Sequence, residues 1–496
     1  MLYKKIESFE QKKGICMSEN NSISKGLAWK LLERFGVAGG QFILQIILAR
    51  LLDPEHYGIL SIMIIFTALA NVFIQNGFNT ALIQNKDVED DDYSSVFWVT
   101  FGVAGALYVG LYFAAPLIAQ FYNMPDIVGP FRVLSLMLFP GAINSIQLAK
   151  VSRQMDFRKV FTSHICAIVV SGVVGIVIAL NGGGLWALVA QTLTNVFISC
   201  VVMTFTTKWY PRIVCNWGRI RVLFSFGWKL LASSLLDTLY QDLRSLVIGK
   251  KYDSETLGYY NRGKQFPQFI IGAINGAVQS VMLPAMSAEQ DDKAKVKAMM
   301  RNSITVSAYV IFPMMAGLAG VATPLVRLLL TDKWLPCVPY LQIYCFTFAF
   351  YPVHSCNLQT INAVGRSDMF LKLEIIKKCY GLVALIIAVF CFDSPIAIAM
   401  TGIITTAISC FVNASPNKKL IGYSYFEQMC DILPSFAASL VMLAGVWAVG
   451  LLPLTPILLL VLQILVGVLI YLGISASTKM MPFVILLKIL KRNLKR

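Results

Sequence analysis

Apolar stretches long enough to cross a bilayer recur along the whole chain, and that recurrence restricts the fold more than any other feature. A hydrocarbon core about 30 Å thick is spanned by roughly 20 apolar helical residues. Fourteen such stretches can be counted, near residues 27–51, 58–84, 94–121, 127–148, 160–180, 184–206, 222–250, 256–285, 299–327, 334–360, 370–392, 395–414, 428–451 and 453–474. Inside lipid the backbone must satisfy its own hydrogen bonds, and runs of this length do so as helices. The expected class is therefore an all-α membrane protein of about fourteen transmembrane helices. Only 14% of the 496 residues are charged, against about 25% in soluble domains. No long hydrophilic insertion separates any two stretches, so no soluble catalytic domain is expected.

The net charge of +16 invites a nucleic-acid reading, but its distribution assigns it to membrane orientation. Of the 42 Lys and Arg, 31 fall on the side of the N terminus and 5 on the far side. The near-side clusters include Lys150 to Lys159, Lys208 to Arg221, Lys293 to Arg301, Arg366 to Lys378 and Lys488 to Arg496. By the positive-inside rule both termini are cytoplasmic and no nucleic acid is expected as a partner. The eleven Cys show no paired spacing and read as small buried hydrophobes, and the three His are too dispersed to argue for a metal. Residues 1–16 lack the apolar core of a signal peptide and read as a cytoplasmic tail or as sequence upstream of a start at Met17.

Several spans carry polar groups on one face. At 100° per residue Lys229, Ser233, Asp237, Tyr240 and Arg244 fall within about 80° of one another. Asn261, Lys264, Gln268, Asn275 and Gln279 share a similar arc, with Pro267 placed to kink that helix. Lys30, Arg34, Gln41 and Gln45 form a third seam, and Thr67, Asn71, Gln75 and Asn79 step by four along the second span. Arg262 lies about 100° off its own seam and is expected there or paired with Asp242. A charge at the bilayer centre costs roughly 2.5–3.5 kcal/mol, so these faces are expected to line a wet chamber. Six basic groups (Arg34, Arg132, Lys229, Arg244, Arg262, Lys264) stand against three acids (Glu33, Asp237, Asp242) within spans. That balance suits a phosphate or pyrophosphate and not a cationic drug. The neighbouring Gln, Asn and Tyr suit sugar hydroxyls. The third span and the last two, by contrast, look apolar on nearly all faces and are expected against lipid.

The first half returns in the second. Trp29-Lys30-Leu31-Leu32 recurs as Trp228-Lys229-Leu230-Leu231, and Asp53-x-Glu55-x-x-Gly58 as Asp253-x-Glu255-x-x-Gly258, at offsets of 199 and 200. Gln147 with Asp156 recurs more weakly as Gln359 with Asp368. Such repeats mark secondary transporters. The expected organisation is a tail (1–26), a first six-helix lobe (27–206), a linker (207–221), a pseudo-symmetric second lobe (222–414), two appended helices (415–474) and a basic tail (475–496). Asp53 and Asp253 sit where helix caps and dipole-facing acids belong. The Trp-Lys pairs suit interfacial anchors. Gly36, Gly39, Gly40, Gly172, Gly175, Gly317 and Gly320 suit close helix packing.

Against this background, Ala49-Arg50-Leu51-Leu52-Asp53-Pro54-Glu55-His56-Tyr57-Gly58, Asn76 to Gln84, Ser94-Ser95-Val96-Phe97-Trp98 and the Gly365-Arg366-Ser367-Asp368 turn resemble the oligosaccharide flippases of the Wzx type. The nearest resemblance is to the colanic-acid and teichuronic-acid exporter branch, in the superfamily that also holds multidrug extruders and the lipid II flippase. The resemblance implies two lobes around a central cavity lined by spans 1, 2, 7 and 8, alternating access, and a polyprenyl-diphosphate-linked glycan as substrate. It implies no cofactor beyond a proton or sodium gradient, with membrane lipids and polysaccharide polymerase or export machinery as partners. Arg34, Gln41, Gln45, Asn71, Gln75, Asp237, Tyr240, Arg244, Arg262, Lys264, Gln268 and Asn275 are the expected substrate-binding residues. The alternatives are a multidrug or organic-cation antiporter on the same fold and a membrane glycan polymerase, the latter disfavoured by the short outside loops.

Overall fold

The computed structural model describes residues 36–75, 82, 88–154 and 156–484, and among them every regular element is helical. The chain divides into two compact units, Met1–Glu255 and Thr256–Arg496. The first holds α1 (Gly36–Leu51), α2 (Pro54–Gln75), α3 (Asp90–Tyr122), the short α4 (Val128–Leu134), α5 (Leu138–Gln154), α6 (Phe157–Leu180), α7 (Leu185–Thr207) and α8 (Trp217–Lys251). α9 (Ser254–Ala288) has its first two residues in the first unit and the rest in the second. There follow α10 (Lys293–Gly320), α11 (Ala322–Leu330), α12 (Val338–Ala349), α13 (Tyr351–Ala363), α14 (Ser367–Cys391), α15 (Pro395–Ile421), α16 (Tyr425–Val449) and α17 (Pro456–Ser477).

Among the described residues nine helical segments are long and apolar enough to cross a membrane. α8 and α9, at 35 residues each, are long enough but less apolar, because they carry the charged and amide seams. α14 is diluted in the same way by Lys372, Glu374, Lys377 and Lys378. The all-α membrane class expected from the sequence is the one observed. The contact boundary at Glu255 falls one helix later than the repeat boundary, because α8 packs against α2 and α3. Packing sets the first boundary and sequence equivalence the second, so the two need not coincide.

In the first unit α6 and α7 form a close hairpin, and a Cβ added at Gly175 would lie 2.8 Å from the Gln191 side chain. α1 packs on α6, with Leu44 against Gly172. Gly39, expected at a close contact, has nothing within 4 Å of an added Cβ. The segment between α7 and α8 is strapped to the acidic start of α3. Arg219 donates from Nε and Nη2 to the two oxygens of Asp92 at 3.0 and 2.8 Å. Arg212 pairs with Asp91, and the backbone N–H groups of Arg212 and Asn216 donate to Ser94 and Ser95. Trp209 and Ile220 pack beneath on Tyr93, Val96 and Phe97. The basic linker therefore has protein partners as well as an orienting charge.

Asp92 precedes the apolar part of α3. Burial alone would push its carboxyl up, but the Arg219 hydrogen bonds and charge outweigh that and hold it below the ordinary range. A depressed folded-state pKa stabilises above the unfolded value of about 3.9 and loses that contribution as pH falls through the folded value. Asp92→Asn is expected to cost about 1.5–3 kcal/mol, the worth of a hydrogen bond to a charged group. Asp91→Asn, whose pair is exposed, should cost under about 1 kcal/mol. Thermal unfolding of the two variants near neutral pH, with the difference shrinking below about pH 4, checks both.

The second unit reverses the polarity of a soluble helix. α17 turns Leu465, Val468, Leu469 and Leu472 outward, and buries Gln463, Gly467, Tyr471 and Ser475 at steps of four. Lipid tails are as apolar as Leu, so no hydrophobic force draws those leucines in, and small and polar residues make the interface instead. The Tyr471 hydroxyl donates to the Tyr309 carbonyl at 2.8 Å, and Gly320 and Gly467 let α10 and α17 close on Val446. A buried amide network joins α13, α15 and α16. Asn357 and Gln428 exchange hydrogen bonds at 2.8 and 3.1 Å, and Asn417 donates to Asn357 at 2.7 Å.

Candidate functional site

The corner between α8 and α9 rests on the first turn of α2. Both α2 and α9 begin directly after an Asp, and each has Glu in its first turn, so the acids face the positive ends of the helix dipoles. An added Cβ on Gly58 would lie 1.7 Å from the Ser254 carbonyl oxygen, and the Ser254 hydroxyl donates to Glu55 at 3.4 Å. One copy of the Asp-x-Glu-x-x-Gly motif thus receives the start of the other. This fixes where α8 ends relative to α2, and hence the height of its polar face.

Along α8, Asp237, Tyr240 and Arg244 are half-buried and each engages other groups. Seven residues separate Asp237 from Arg244, about 10 Å along the axis on one face. Gln41 and Gln45 are half-buried one turn apart on α1. Gln75, at the end of α2, is exposed. Asn71 turns its amide oxygen against Gly141 of α5, where it is buried without a hydrogen-bond partner, and Thr67 returns its hydroxyl to Met63 and Ile64. The row on α2 therefore begins as an interior contact and becomes accessible only at Gln75. Arg34, Lys30 and Asn79 lie outside the described residues, as does the side chain of Lys229.

On α9 Lys264 and Asn275 are half-buried and Gln268 is exposed. Arg262 is 4% exposed. It donates to Gln265 at 2.6 Å, and its guanidinium lies 5.1 Å from the centre of the Trp334 ring, to which the Tyr259 ring is perpendicular. This is a cation–π clamp between α9 and the turn before α12. The helical angle that set Arg262 apart from its seam is the reason it points inward. Sequence reasoning missed the buried polar rows of α13, α15 and α17. The step-of-four spacing of Gln463, Gly467, Tyr471 and Ser475 was the signal available.

Long helices, two units and polar faces held on α1, α8 and α9 define a class, the multi-pass membrane transporter. The fold is similar to that of the lipid II flippase MurJ in an inward closed conformation, with a TM-score of 0.73 and 17% identity over 95% of this chain and all of that one. It is also similar to an inward-facing multidrug resistance MATE transporter of the MOP superfamily, with a TM-score of 0.59 and 14% identity over 79% of this chain and 98% of that one. The chain belongs to the polysaccharide biosynthesis protein family, which matches residues 47–339. It is 22% identical to the succinoglycan biosynthesis transport protein ExoT of Rhizobium meliloti over 83% of this chain and 81% of that protein. It is 23% identical to the lipopolysaccharide biosynthesis protein WzxC of Escherichia coli, over 88% and 89%. The teichuronic acid biosynthesis protein TuaB of Bacillus subtilis is 26% identical over 61% and 63%.

Proposed function

We propose that the protein is a flippase that carries polyprenyl-diphosphate-linked oligosaccharide across the bacterial cytoplasmic membrane for surface polysaccharide synthesis. The observation that carries this reading is family membership along most of the chain, joined to cationic residues on helices that must sit in lipid. Both termini are then cytoplasmic, as the 31 to 5 split of basic residues favours. The pyrophosphate engages Arg34 first and Arg244 with Lys264 later, through charge-assisted hydrogen bonds. Gln41, Gln45, Gln75, Tyr240, Gln268 and Asn275 exchange hydrogen bonds with sugar hydroxyls. Asn71 and Arg262 take packing roles instead, given their interior contacts. Asp237 neutralises Arg244 when no substrate is bound, or holds a coupling proton. Polymerase and export machinery would receive the product on the far side.

Deleting the gene in its host tests the reading. The expected result is loss of surface polymer, with the lipid-linked repeat accumulating unpolymerised on the cytoplasmic face, and restoration of both by the intact gene. Glycan elongation by the purified protein, or a change confined to drug tolerance, would count against it.

A further inference from the structure

The second unit carries a groove apart from the seams. Between α10, α12 and α16 lies a hollow of about 500 Å³ whose walls are almost wholly apolar, among them Phe312, Ala316, Phe346, Phe436 and Ala444. Gly320, Gln342 and Trp447 line it and also a second hollow of about 340 Å³ at the ends of α10 and α16. The two therefore adjoin. The second differs in chemistry, because Arg327 and Gln463 form part of its wall.

Gln463 is 1% exposed. Its amide N–H donates to the Val446 carbonyl at 3.0 Å, while its amide oxygen is buried with no hydrogen-bond partner. A buried acceptor left in that state is costly, so the wall calls for a donor from whatever fills the hollow. At the rim the Arg327 guanidinium donates to Asp332 at 2.6 Å, and both side chains are about half exposed or more. This rim pair carries one positive and one negative charge. An apolar channel leading to a zwitterionic rim with an unmet acceptor has the shape and charge of an amphiphile. A headgroup with a phosphate for Arg327 and a primary ammonium for Asp332 or the Gln463 oxygen matches it, whereas an anionic headgroup whose phosphate draws on Arg327 brings no cation to the carboxylate in exchange.

We propose that this groove binds a phosphoethanolamine-headed phospholipid of the surrounding bilayer, its acyl chain along α10, α12 and α16 and its headgroup at Arg327, Asp332 and Gln463. The site is distinct from the seams and does not depend on which substrate they carry. Acyl chains gain little by leaving other lipid tails for an apolar groove, so selection resides in the headgroup.

The full chain is extracted with its lipid in styrene–maleic acid particles from membranes containing phosphatidylethanolamine, phosphatidylglycerol and cardiolipin. Native mass spectrometry then counts the lipids that survive stripping. One phosphatidylethanolamine per chain is expected, enriched roughly tenfold over phosphatidylglycerol relative to the membrane, a ratio equal to one hydrogen bond of about 1.4 kcal/mol. Ala444→Trp, which fills the groove from its exposed side, should abolish retention. Gln463→Leu should reduce the enrichment to near unity, and Leu469→Trp on the outward face of α17 should retain the lipid. The proposal is overturned if no phospholipid survives stripping or if Ala444→Trp and Leu469→Trp retain it equally. Retention of phosphatidylglycerol, cardiolipin or a polyprenyl lipid in its place would overturn it too.

Discussion

Cells relying on Arg244→Gln combined with Lys264→Gln are expected to export polymer at one hundredth of the normal rate or less, with folded protein still present in the membrane. A hydrogen bond to a charged group is worth about 1.5–3 kcal/mol, so losing two costs about 3–6 kcal/mol, roughly a hundredfold to ten-thousandfold. Both side chains are half-buried, so a neutral residue of similar length can be accommodated without leaving a cavity. Each also engages other groups of the protein, so folded protein in the membrane is measured beside export. Measured export at the wild-type rate by the double variant would remove Arg244 and Lys264 from the pathway. Loss of the folded protein along with export would assign them to structure. Asp237→Asn separates the two roles given to that carboxylate. If it only neutralises Arg244, export survives without a change in its pH dependence, whereas a coupling proton would make export insensitive to the proton gradient.

The membrane class was legible because a bilayer demands long apolar helices and nothing else in the chain competes with them. Charge within a span is costly and stands out in a sequence, which is why the expected seams were drawn through charged residues. Arg262 shows where that rule stops. Its angle set it apart from its helix neighbours, but only the structure shows that Trp334 and Gln265 receive it. The amide rows were harder. α17 averages as strongly apolar, and that average hides Gln463 and Tyr471 on the one face that packs. In lipid the informative residues are the polar and small ones, while the many leucines carry little information about packing. Asn71 shows a related limit. A step of four places residues on one face but does not say whether that face meets water or Gly141. The acidic run Glu89 to Asp92 and the basic linker were both visible, but more than a hundred residues separate Arg219 from Asp92, and no local pattern predicts their pairing.

The repeat had a meaning that sequence alone assigned only to helix caps. Gly58 is the position where the backbone of one copy enters the other, so Gly58→Ala is expected to be among the most damaging single-methyl additions in the chain. The new Cβ would lie 1.7 Å from the Ser254 carbonyl oxygen, 2.6 Å from its carbonyl carbon and 3.0 Å from its Cα. These are backbone atoms held between two 35-residue helices, so no rotamer change relieves the contact and the α8–α9 corner itself must move. Overpacking by a methylene typically costs 1–3 kcal/mol where side chains can give way; here the cost should be about 3 kcal/mol or more. The measurement is the yield and unfolding temperature of the purified variant beside Gly110→Ala. The latter adds the same methyl on α3, where nothing lies within 4 Å, and should behave as wild type. Gly58→Ala should yield little folded protein or unfold well below Gly110→Ala. Equal stability of the two would mean that the corner yields freely and that the two copies of the motif do not lock together. If Gly58→Ala folds at reduced stability, Ser254→Gly should not rescue it, because the clash is with the main chain and not with the serine hydroxyl.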